Sequence, residues 1–120
     1  MTVVDLVDID DIHCFIGKGA FLHTPFLVGY AAFPLNYSEA VLDYLRKPNV
    51  EVTWFPGYGV PPLVTDMVGR VEFDVNAYNY LGIDHGHSYN LEAGTTMNRE
   101  LLEAELTRLV RGVEARRNKE

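Results

Sequence analysis

Apolar positions recur along this chain in two rhythms. Near the C-terminus Leu102, Leu106, Leu109 and Val113 repeat at four, three and four residues, which predicts an amphipathic helix over about residues 98–117. Thr95, Thr96 or Asn98 can cap its start, and Arg116, Arg117 and Lys119 gather at its negative end. Glu100, Glu103, Arg108 and Arg111 then form a solvated face with charge pairs at helical spacing. A shorter helix is expected over 38–46, with Ser38 as cap, Val41, Leu42 and Leu45 on one side, and Pro48 as its stop.

The other rhythm belongs to strands. His13–Ile16 and Phe26–Phe33 are runs of aromatic and branched residues, divided by Gly17-Lys18-Gly19, read as a hairpin turn, and by Thr24-Pro25. Both alternate faces of Phe26–Phe33 are apolar, which predicts a strand covered on two sides. Val50–Trp54 alternates with period two, placing Val50, Val52 and Trp54 inward. Val71–Ala77 alternates again, and strand-like composition continues through Tyr78, Tyr80 and Ile83. Residues 56–62, rich in Pro and Gly, read as a loop. Val3–Ile12 fits neither period. The expected fold is α+β: one domain over residues 1–120, with a mixed or antiparallel sheet of four or five strands, a short helix, and the long C-terminal helix packed on one face.

Composition narrows the function. A chain of 120 residues suits a single core. Its longest uncharged stretch, 19–38, is interrupted by His23, Pro25, Pro34 and Asn36, so no membrane span is expected, and the aspartates of the N-terminus oppose a targeting signal. A cytoplasmic location is expected. Cys14 has no partner for an internal disulfide and reads as buried packing. The net charge is −7, and residues 1–97 hold four basic against twelve acidic side chains. Such a body repels phosphate backbones, which disfavours non-specific nucleic-acid binding.

The chemically pointed segment is Gly82-Ile83-Asp84-His85-Gly86-His87-Ser88-Tyr89-Asn90, where a strand gives way to a turn. Three readings stand open. In the plainest, Asp84 and Ser88 bond to nearby backbone and His85 is exposed. In the second, His85 and His87, two apart on extended chain, share one metal ion with Asp84 or His23; zinc is the ion such a set would take. In the third, His87 is a general base oriented by Asp84, so those two are the candidate catalytic residues. No Gly-x-Ser-x-Gly elbow surrounds Ser88, and Gly17-Lys18-Gly19 lacks the Ser or Thr of a phosphate loop. Tyr58, at a loop tip among prolines and glycines, and Tyr89 are candidate contact residues.

Gly29-Tyr30 with Pro34, the strand Glu51–Trp54 running into Pro56-Gly57-Tyr58-Gly59, the segment Gly82–Asn90, and Leu101–Leu106 occur in the order found in a group of small, uncharacterised proteins of tailed bacteriophages and prophages. The chain resembles that group over residues 29–110. The group carries a Gly-Phe-Asp-Cys-Ala-His-Ala-Gly-Asp segment; here His85 replaces its Cys and Asn90 its last Asp, while Asp84 and His87 are retained. His-Gly-His-Ser-Tyr also resembles the zinc segment of the pyruvoyl-tetrahydropterin synthase and queuosine-pathway family, with His23 or His13 as third ligand. That family needs a cysteine shortly before the motif, whereas Cys14 lies far upstream. The phage resemblance implies a protein of an infected bacterial host, while the lack of a complete catalytic set and the anionic body point to an accessory protein that acts by binding a host or phage protein or a small ligand, for instance as an inhibitor of a host or defence protein. The alternative is a small metal-dependent enzyme built on the Asp/His/His cluster.

Overall fold

A two-residue turn with both residues left-handed closes each of the first two hairpins, and these turns set the sheet. A computed structural model describes residues 2–48, 50–67 and 74–118, with the side chains of 2–4, 66, 67, 88 and 89 outside that description. Strands β1 (Thr2–Ile9), β2 (Ile12–Phe21), β3 (Thr24–Pro34) and β4 (Tyr78–Asp84) form an antiparallel meander in that order. The architecture is α+β, with helices α1 (Ser38–Leu45), α2 (Pro62–Met67), α3 (Ser88–Ala93) and α4 (Arg99–Arg117). Among the described residues no helix is long and apolar enough to cross a membrane.

The two faces of the sheet carry separate cores. On the first, Cys14, Ile16, Leu27, Ala31, Phe33, Leu81 and Ile83 meet Leu102, Leu106, Leu109, Val110 and Val113 of α4 and Val41 of α1. On the second, Phe15, Val28, Tyr30, Ala32 and Tyr80 meet Leu63 and Val64 of α2. The doubly apolar pattern of β3 is explained by this arrangement, since each side of its pleat faces a covering layer. Burial also pushes the Cys14 thiol up to about 12, so it packs and is no thiolate at neutral pH.

Several local expectations are corrected. Gly17-Lys18-Gly19 is no turn; it continues β2, paired with Leu27 and Val28 on one side and Val3 and Thr2 on the other. Gly19 is small there because a Cβ would lie 3.0 Å from the Phe26 ring. Val3–Ile9, which fits neither period, is the edge strand β1, its pattern broken by a register shift between Val3 and Asp5. Val50–Trp54 makes a single bridge, Trp54 to Gly82, and crosses the edge of β4, so that Val52 joins the first core while Trp54 packs on the second. Gly82 permits the crossing: a Cβ there would stand 2.6 Å from Tyr30 and 2.7 Å from Trp54. Residues 71–73 of the expected Val71–Ala77 strand lie outside the described residues, and Val75–Ala77 is a 3-10 turn. In α1 the cap position is Tyr37, Ser38 donates to the Leu35 carbonyl, and Leu42 faces solvent. α4 starts as expected, with the Asn98 side chain accepting from the Leu101 N–H.

Candidate functional site

β4 delivers its end residues to opposite faces by simple alternation. Leu81 and Ile83 point to the first core, and the same parity carries His85 toward α4. His85 is only 1 % exposed, and its Nε2 donates to Glu105 Oε1 at 3.0 Å, with Oε2 at 3.3 Å. The polar-turn reading expected an exposed His85; its burial against Glu105 overturns that detail. Asp84 behaves as a turn residue, its Oδ1 accepting the Gly86 N–H at 3.0 Å. The same oxygen lies 3.3 Å from His87 Nε2, both side chains being partly exposed.

His85 thus pairs with Glu105 and His87 lies beside Asp84. The chain bends after Asp84, so the extended geometry that would aim both imidazoles at one ion is lost. His23 occupies the β2–β3 turn at the same end of the sheet, whereas His13 sits at the other end of β2, 2.6 Å from Asp8. Among the described residues no three His, Cys, Asp or Glu side chains group so as to hold a metal.

Away from Asp84, His87 borders a mostly apolar space. A cavity of about 280 Å³ is lined by Phe21, Leu22, Thr24, Phe26, Gly86, His87, Leu91 and Thr96. A second adjoins it, sharing Phe21, Phe26 and Gly86 and reaching Tyr30, Trp54 and Asp84. Together they make a groove with Phe26 as its floor, and Gly86 leaves room for that ring because a Cβ would stand 3.2 Å from it. The walls are tied by backbone bonds: the His85 N–H donates to the Leu27 carbonyl at 2.9 Å, and the Leu27 N–H donates to the Thr96 carbonyl at 2.8 Å. Among the described residues neither cavity is lined by Lys or Arg and the groove's one carboxylate is Asp84, whose charge, after burial, raises the Tyr30 hydroxyl pKa.

The groove is rimmed by apolar side chains that the fold does not bury. Phe21 is 67 % exposed, Leu22 80 % and Leu91 58 %. Leu22 and His23 form the β2–β3 turn with φ of 48° and 69°, the left-handed pair of a type I′ hairpin. The β1–β2 turn has the same geometry, but there Asp10 and Asp11 adopt it, and short polar residues tolerate that region. Leucine does not. Of the two contact candidates, Tyr58 is 60 % exposed and stacks edge-on against Trp54 and Phe55, at the outer end of the groove's aromatic wall. Tyr89 lies in α3, with its side chain outside the described residues.

Sequence reasoning missed two features. Glu105, the partner of His85, was legible: it lies three residues after Leu102 and next to Leu106, within the apolar stripe. The Phe21-Leu22 tip carried a weaker signal, an apolar pair where a turn calls for Asn-Gly. The chain matches no protein-family model, no curated protein and no solved structure.

Proposed function

We propose that this protein works by binding, and that the groove between the β2–β3 hairpin and α3 receives an apolar side chain flanked by basic residues on a partner protein. The observation that carries this reading is the Leu22 turn. A left-handed leucine costs about 1–2 kcal/mol, and the same position holds Phe21 and Leu22 in solvent beside an open groove. Stability alone favours neither. Charge favours the basic flank: among the described residues no Lys or Arg lines the groove, it carries Asp84, and residues 1–97 hold four basic against twelve acidic side chains. An accessory protein of a phage, acting in the host cytoplasm as an inhibitor of a host or defence protein, is the role in which an acidic body with an apolar rim is most useful. Against the metal-dependent alternative stands the divergence of His85 and His87.

The reading is tested by separating stability from binding. Replacing Leu22→Asn and His23→Gly together supplies the residues this turn favours, and is expected to raise stability by about 1–2 kcal/mol in urea unfolding. The same variant is expected to weaken binding of short peptides carrying Phe or Leu beside Arg by at least about tenfold, read by calorimetry. A variant that binds such peptides as well as the native chain contradicts the proposal.

A further inference from the structure

A further cavity lies on the other face of the sheet, between α4, the end of α1 and the segment that crosses β4. It has a volume of about 280 Å³ and is lined by four charged side chains, Lys47, Glu51, Glu105 and Arg108, over an apolar floor that includes Val52, Ile83 and Leu109. None of the ion pairs among the described residues includes Lys47, Glu51 or Arg108. Glu105 is different. Its carboxylate is held from behind by the buried His85 Nε2, so it is fixed in direction while part of it still faces the cavity.

We infer that this cavity is a binding site for a small zwitterion with an apolar tail, of the amino-acid type. Among the described residues the lining charges are two of each sign, so a net-neutral dipolar ligand is matched better than an acid or an amine alone. The ligand carboxylate meets the Arg108 guanidinium, whose planar fork suits it, with Lys47 beside it. The ammonium meets Glu105. The side chain lies on Val52, Ile83 and Leu109, where apolar burial favours it. Size permits it: the volume equals roughly nine waters at about 30 Å³ each, more than a leucine or a phenylalanine molecule fills. This site opens on the opposite face from the groove beside His87, and the two have Ile83 in common among their described lining residues.

The test uses the full chain and defined probes: L-leucine, L-phenylalanine, isocaproate (leucine without its amino group) and isoamylamine (leucine without its carboxylate). Calorimetric titration is expected to show binding of at least one of the amino acids at millimolar concentration or below, with isocaproate and isoamylamine at least about tenfold weaker. Arg108→Gln, a change on an exposed helical residue, is expected to reduce amino-acid binding at least about tenfold without moving the melting temperature of the free protein; Lys47→Gln provides a second variant. The proposal is overturned if neither amino acid binds, if isocaproate or isoamylamine binds as tightly as leucine, or if both variants bind like the native chain. Peptide binding at the His87 groove is expected to be unchanged in Arg108→Gln, which keeps the two sites distinguishable.

Discussion

Shortening Leu106 to Ala lowers the stability of this domain by about 2–5 kcal/mol, the range for deleting a buried leucine whose surroundings relax only in part. Leu106 is fully buried in the middle of α4. Its Cδ1 lies where β3 offers no side chain: a Cβ on Gly29 would stand 2.8 Å from it. The helix approaches the sheet across a glycine, and the leucine fills the space. Gly29→Ala alone is therefore expected to cost about 1–3 kcal/mol through overpacking. In the Leu106→Ala background the new methyl enters the vacated volume, and the same change becomes neutral or stabilising. Urea midpoints of the native chain, both single variants and the double variant check this; additive losses would show that the two positions do not pack together.

The second large effect concerns His85 and Glu105. Glu105→Leu leaves the His85 Nε2–H without its acceptor in a buried position, at a cost of about 1–3 kcal/mol. His85→Leu leaves the Glu105 carboxylate, with only 10 % of its side chain exposed, without its donor, and is expected to cost about 3 kcal/mol. Replacing both by Leu removes the orphaned groups together. The double variant is then expected to lie closer to the native chain than the His85→Leu variant does, because two apolar side chains suit the interface between β4 and α4. The buried His85 Nδ1, which has no hydrogen-bond partner among the described residues, disappears in the same step. Chemical unfolding of all four proteins measures the coupling. Losses that simply add would mean that the two side chains are near each other without stabilising one another.

These two effects mark where the sequence was readable. The stripe Leu102, Leu106, Leu109 and Val113 reports its own burial, because a helix packed on one face must repeat apolar residues at its period. β3 likewise declares two covering layers by having no polar side between Phe26 and Phe33. Long, strongly patterned segments speak for themselves. Val50–Trp54 does not, since alternation tells which residues share a side only while the chain stays in the sheet, and this segment crosses an edge at Gly82. The Gly17-Lys18-Gly19 turn failed for a related reason. Glycine permits turns, but the use of Gly19 here is the room it leaves for Phe26, a residue paired to it only in three dimensions.

The candidate site divides in the same way. That the end of β4 concentrates chemistry was visible in Asp84, His85 and His87, and the structure sets a groove beside His87. Which face each histidine serves followed from strand parity up to Asp84 and was lost at the bend that follows it. The groove itself is assembled from residues 21–26, 84–87 and 91–96, brought together by the meander and by the two backbone bonds to Leu27. No local spacing reports such a gathering.

Chemical-shift mapping of the isotope-labelled protein with peptides that carry Phe or Leu beside Arg tests the binding surface most directly. Salt-sensitive shifts are expected, concentrated at the amides of Leu22, Gly86, His87, Leu91 and Thr96, with far smaller shifts when Arg is replaced by Glu or the apolar residue by Ser. Shifts centred on the exposed Leu35, in the 3-10 turn before α1, and Leu42 of α1, or equal responses to acidic and basic peptides, would contradict it.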